Sequence, residues 1–104
     1  MSNSSLNKYL FTNNSLRGII RICNLQTDRT LLLVSEDLTK DIQKIRFDLD
    51  LGVFHNQALQ EEYETVGLEI YTIEPLLIAE KSENLEGLLK LSKEKLKDLG
   101  VSFY

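Results

Sequence analysis

One stretch, Ser35 to Gln60, limits what this chain can fold into more than any other. Leu38, Ile42, Ile45 and Leu49 recur at i, i+4, i+7 and i+11, the series that places apolar side chains on one face of an α-helix. Lys40, Asp41, Lys44 and Asp48 fall off that stripe and are expected to face water. Gly52 stands where a stop is needed, since glycine enters the left-handed region without steric cost. Asn56, a favoured N-cap, then opens a second helical pattern through Ala58, Leu59 and Tyr63. The stretch therefore predicts a helix, a short break and another helix.

On either side the pattern changes. Residues 17–23 (Arg-Gly-Ile-Ile-Arg-Ile-Cys) are β-branched and partly alternating, which predicts a strand over Gly18–Cys23. Asn24 to Arg29 has the polar composition of a turn, and Thr30 to Val34 is an apolar run of strand length. Two strands so close in sequence make an antiparallel hairpin. Gly67 closes the second helix, and the weak alternation of Leu68 to Ile73 predicts a third strand ended by Pro75. The last helix is expected from Asn84 to Leu99, with Leu85, Leu88, Leu89, Leu96 and Leu99 on one face, interrupted by Ser92 and stopped by Gly100. Residues 1–16 are rich in Ser and Asn and are expected to form a flexible segment, with one helical turn at Leu6, Tyr9, Leu10 and Phe11. The order β-β-α-α-β-α over residues 17–104 predicts a single α+β domain, a three-stranded, mainly antiparallel sheet flanked by helices.

Composition narrows the function. At 104 residues the chain is long enough for one core. Its single cysteine, Cys23, cannot form an internal disulfide and lies in an apolar run, which fits a buried thiol in a reducing compartment. No apolar run approaches the roughly 18 residues of a membrane span, so a soluble, cytoplasmic protein without a membrane partner is expected. The net charge of −4 opposes general binding to nucleic acid. Lys90, Lys93, Lys95 and Lys97 do cluster, but Glu86, Glu94 and Asp98 are interleaved with them, as on a solvated helix face.

Several spaced residues carry a resemblance. Gly18-Ile19, Ser35-x-x-Leu38, Leu49, Gly52, His55-Asn56, Leu59-Gln60 and Gly67 fall without a gap between residues 17 and 77. In this register the chain resembles the GIY-YIG nuclease domain found in homing endonucleases and in the repair excinuclease, and many bacterial members share the later residues of the series. The resemblance implies the β-β-α-α-β-α fold. It also implies where hydrolytic chemistry would sit. In the family, tyrosines orient or deprotonate the attacking water, an Arg stabilises charge on the phosphate, and a Glu on the last helix holds a divalent metal.

At those positions the residue types differ. The first Tyr falls on Ile20, and the Tyr-Ile-Gly triplet falls on Leu31, Leu32 and Leu33. The Arg position is Asp41, and the His commonly found one turn later is Ile45. The metal-binding Glu falls near Ser92, with Glu86 and Glu94 as shifted substitutes. No catalytic residue and no cofactor are expected. His55 and Asn56 are binding candidates, at a helix start where the family also has His. The pairs Asp48/Asp50 and Glu61/Glu62 read as solvated faces. The final Val-Ser-Phe-Tyr is apolar and needs either a fold-back or a partner. Three functions compete. The first is a degenerate domain kept as a binding or protein-interaction module, with weak or no nucleic-acid binding. The second is a metal-dependent nuclease rebuilt on Glu86 or Glu94 with Arg17, Arg21 or Arg46. The third is an oligomerising structural protein using Leu31–Leu33 and Phe103–Tyr104.

Overall fold

A computed structural model describes residues 16–104. The turn expected at Leu6, Tyr9, Leu10 and Phe11 lies outside them. The elements are β1 (Arg17–Asn24), β2 (Thr30–Ser35), α1 (Leu38–Leu51), α2 (Gln57–Val66), β3 (Tyr71–Ala79) and α3 (Leu85–Asp98), with a short 3-10 turn at Leu68–Ile70. The three strands form one antiparallel sheet in the order β2-β1-β3. No helix among the described residues is long and apolar enough to cross a membrane.

Local chemistry accounts for each boundary. The Asn24 side chain accepts the backbone N–H groups of Gln26 and Thr27 and so closes the hairpin turn. Asp37 caps α1 by accepting the Lys40 N–H, and Gly52 ends it at φ 80°. Asn56 and Asn84 cap α2 and α3 in the same way, through the N–H groups of Leu59 and Gly87. The expected stripe is the buried one: Leu38, Ile45 and Leu49 pack with Ile20, Ile22, Phe54, Leu59, Tyr63, Tyr71 and Ile73, and Ile42 is partly buried against them. This core seats α1 and α2 on one face of the sheet. Contacts from α3 to β1 and β2 complete the layers.

The third strand departs from expectation. It runs Tyr71–Ala79 rather than Leu68–Ile73, and Leu68 is exposed while Tyr71 is buried. Pro75 lies inside the strand instead of ending it. Because β3 is an edge strand and its register with β1 shifts between Ile19 and Ile20, with Leu76 as the extra residue, the proline sits at a bulge on an edge. Those are the places where a missing N–H is tolerated. The apolar face of α3 is corrected too. Leu85 and Ser92 are its buried residues, Leu88, Leu89 and Leu96 are half-buried, and Leu99 is 79% exposed because it caps the helix. Ser92 therefore does not interrupt the inward face but belongs to it.

The final four residues fold back. Thr30 pairs in parallel with Phe103, donates its N–H to Ser102 at 2.9 Å and accepts the Tyr104 N–H at 3.0 Å. This places the Tyr104 hydroxyl against Glu62 and, at 3.1 Å, against the Tyr71 hydroxyl. Glu62 Oε1 accepts hydrogen bonds from Tyr104, from Tyr71 at 2.6 Å and from Asn24 Nδ2 at 2.7 Å, while Arg29 lies over the Tyr104 ring. Glu62 is thus not the solvated carboxylate that its pairing with Glu61 suggests. Asp50 is exposed, as expected, and accepts the Tyr63 hydroxyl.

These contacts set a pH dependence. Burial alone would raise the Glu62 carboxyl, but the hydrogen bonds from Tyr104, Tyr71 and Asn24, with Arg29 nearby, outweigh it and hold the group below its ordinary value. Its stabilisation is present above the unfolded value and is lost as pH falls through the lower folded one. Burial, reinforced by hydrogen bonds to carboxylates, pushes the Tyr63 and Tyr104 hydroxyls up to about 12 and Tyr71 higher still. Above the ordinary tyrosine value of 10.0 the unfolded chain therefore loses protons that the folded chain retains, and stability falls. Alkaline titration should show most phenolate absorbance appearing together with loss of helical circular dichroism. Full tyrosine ionisation in a still-folded protein would contradict this network.

Candidate functional site

Where β1, β2 and α1 meet, the sheet leaves a shallow cavity of about 250 Å³. Ile20 and Leu33, directly paired across the ladder, form part of its lining with Val34. Asp41, Lys44, Ile45 and Asp48 line it from one side of α1, at the i, i+3, i+4, i+7 spacing of a single helix face. Phe54 and His55 complete it from the loop that follows Gly52, their rings tilted together with centroids 4.5 Å apart.

The polar atoms of this lining are mostly engaged with one another. Ser35 Oγ donates to Asp41 Oδ2 at 2.6 Å and accepts the Asp37 N–H at 3.1 Å. Asp41 is therefore half-buried and fixed, not the water-facing residue its position off the stripe suggests. Lys44 Nζ meets Asp48 Oδ2 at 2.7 Å one turn along, with the lysine 68% exposed. Among the described residues no cation lies within ion-pair distance of Asp41.

A second, more open cavity of about 620 Å³ adjoins the first and shares Val34 and Asp41 with it. Arg17, Glu36, Asn84, Leu85 and Glu86 form the rest of its lining. Arg17 is committed to the frame. Its Nε meets Glu36 at 3.0 Å, and its Nη1 donates to the carbonyls of Glu80, Lys81 and Glu83, tying β1 to the loop before α3.

The positions singled out by sequence thus separate. Ile20, Leu33, Asp41 and His55 come together, with Ile45, around the first cavity. Leu31 packs against the core instead of lining it. Asn56 is the cap of α2, its side chain occupied by the Leu59 N–H at 3.0 Å. Glu86 reaches the second cavity, whereas Glu94 is exposed on α3 and lines neither. Ser92 borders a separate apolar groove between β3 and α3. Lys44, Asp48 and Glu36 are lining residues that the sequence did not single out as site residues. The only prior signal for the first two is their i, i+4 spacing on the turns that carry Asp41 and Ile45.

The resemblance implies a divalent metal held by a Glu of the last helix. Among the described residues no three His, Cys, Asp or Glu side chains converge on one point. Of the other candidate phosphate ligands, Arg21 is paired with Glu74 at 2.7 Å, and Arg46 is exposed on α1 without lining either cavity.

Neither a family model nor a curated protein matches this chain. Two solved structures do. One is the catalytic domain of the homing endonuclease I-TevI, with a TM-score of 0.63 at 19% identity over 81% of this chain and 88% of that one. The other is a mutant of the catalytic domain of the intron endonuclease I-TevI, with a TM-score of 0.62 at 19% identity over 82% and 84%. This chain has the fold of the GIY-YIG nuclease domain, as the residue spacing implied.

Proposed function

We propose that this chain is a GIY-YIG-fold domain without phosphodiester hydrolysis, serving as a binding or protein-interaction module. One observation supports it above the rest. The Asp41 carboxylate, held by Ser35, stands on the cavity wall, and the sequence register gives it the position of the family's phosphate-stabilising Arg. A unit charge about 4 Å from a phosphate near a protein surface contributes on the order of 4 kcal/mol, and here the sign is repulsive. Ile20, Leu33 and Ile45 around it have no proton to give or take.

The rebuilt-nuclease reading has less support, because Arg17 and Arg21 are already engaged and Glu94 lies away from both cavities. Self-association through Leu31–Leu33 and Phe103–Tyr104 has less as well, since Leu32 is buried, Leu31 and Leu33 pack on the core, and Phe103 and Tyr104 are bound to Thr30. Binding of mixed-sequence DNA and RNA measured across a salt series tests the electrostatic half of the proposal. Binding should be weak, with a log–log slope no steeper than about −2, equivalent to about two phosphate contacts. A slope near −6 would contradict it.

A further inference from the structure

We propose that the first cavity receives an arginine side chain from a protein partner, an assignment that rests on the binding-module reading above. Size is the first constraint. Pockets for drug-sized ligands begin at about 300 Å³, and at about 250 Å³ this cavity suits one long side chain better than a nucleotide. Charge is the second. The two adjoining cavities are lined by four carboxylates, Glu36, Asp41, Asp48 and Glu86, and two cations, Arg17 and Lys44. Both cations are spent, Arg17 on Glu36 and three carbonyls, Lys44 on Asp48. Among the described residues, Asp41 and Glu86 are left with no cation in ion-pair range.

The chemistry of the lining selects among cations. Half-buried Leu33 and Val34 offer apolar surface to a methylene stem, and the exposed His55 ring, packed on Phe54, offers a flat aromatic neighbour for a planar cation. Asp41 Oδ2 accepts from Ser35, and a carboxylate retains further lone pairs for a planar donor. A guanidinium meets these demands better than an ammonium, because it is planar, less strongly hydrated and forked toward carboxylates. The chain supplies its own precedent at the rim, where the Lys44 ammonium sits on Asp48. With the lysine mostly exposed, such a pair is held weakly, so its ammonium competes with a better-fitting cation but yields to it. The acidic second cavity alongside would favour further positive charge on the same partner segment.

The test uses the full chain, isotope-labelled, titrated with the capped peptide Gly-Arg-Gly and with its neutral counterpart in which citrulline replaces arginine. The arginine peptide should shift the amide resonances of Leu33, Asp41, Ile45 and His55, and the citrulline peptide should not. Asp41→Asn, which keeps an acceptor for Ser35, should weaken binding about tenfold, the scale of one charge-assisted hydrogen bond. Lys44→Ala should strengthen it by removing the competing ammonium, so the proposal survives any folding defect in the first variant. No localised shifts, equal response to citrulline, or indifference to both substitutions would overturn it. Free arginine binding more tightly than the peptide would overturn assignment to a partner's side chain. Failure here, with DNA and RNA still uncut, removes only the arginine assignment; cleavage of either would remove the binding-module reading beneath it.

Discussion

Gly18→Ala is expected to destabilise the protein by more than about 3 kcal/mol, or to leave no folded species. Gly18 lies in the central strand β1, opposite Ile78 and close to the bulge at Leu76. A Cβ placed there would stand 2.0 Å from the Leu77 carbonyl oxygen, 3.0 Å from its carbon and 3.1 Å from Ile78 Cα. All three are backbone atoms of β3, so no rotamer change relieves the clash. Relief requires moving the strand that holds Tyr71 and Ile73 on the core. Gly87→Ala is the control. Its Cβ would meet nothing closer than 3.9 Å inside α3, so the change should stabilise by up to about 1 kcal/mol. Urea midpoints of the two variants should move in opposite directions. A Gly18→Ala variant within about 0.5 kcal/mol of the parent would show that β1 and β3 do not approach so closely.

Leu49→Ala is expected to cost about 2–5 kcal/mol, as a large-to-small change in a close-packed core. Leu49 is 1% exposed at the C-terminal end of α1, packed in the cluster that joins that helix to α2 and the sheet. Its carbonyl also accepts Gln60 Nε2 at 3.0 Å, while Gln60 Oε1 accepts the Phe54 N–H, so this corner holds the loop bearing His55. Lys44→Ala removes only an exposed i, i+4 pair with Asp48 and should stay within about 0.5 kcal/mol. Equal urea midpoints for the two variants would mean that α1 buries a different face.

What the sequence made legible follows from which interactions are local. The α1 stripe, its Gly52 stop and the Asn56 cap depend on residues a few positions apart, and they could be read directly. The bounds of β3 could not, because whether Pro75 ends a strand or occupies an edge bulge depends on the pairing with β1, about 55 residues away in sequence. Ser92 reads as a break in a leucine stripe, yet it is buried, because α3 presents a face that periodicity alone does not choose. Leu99 counts as apolar in the pattern and is exposed because the helix ends there. The terminal Phe103 and Tyr104 needed a partner, and the partner proved to be Thr30 of the same chain.

The candidate site was half legible for the same reason. Register placed Ile20, Leu33 and Asp41 at positions that the fold does gather around one cavity. It also gave Leu31 an equal claim, but Leu31 packs on the core. Amphipathic periodicity assigned Asp41 to solvent because it sees only the helix and not the Ser35 hydroxyl at the end of β2, six residues before it. Glu62 was read as solvated for lack of any sequence sign that Tyr71 and Tyr104 would reach it, whereas Asp50 is exposed as expected and also accepts the Tyr63 hydroxyl.

The most direct measurement of the central claim is cleavage of mixed DNA and RNA by the purified chain in Mg²⁺ or Mn²⁺. In the register of the sequence resemblance, Asp41 takes the position of the family's phosphate-stabilising Arg, and Ile20, Leu31 and Leu33 take those of its proton-handling residues. The account predicts no hydrolysis above a protein-free control. Metal-dependent cleavage that survives repurification and is abolished by Glu86→Gln or Glu94→Gln would contradict it, and would mean that a nuclease site has been rebuilt on α3.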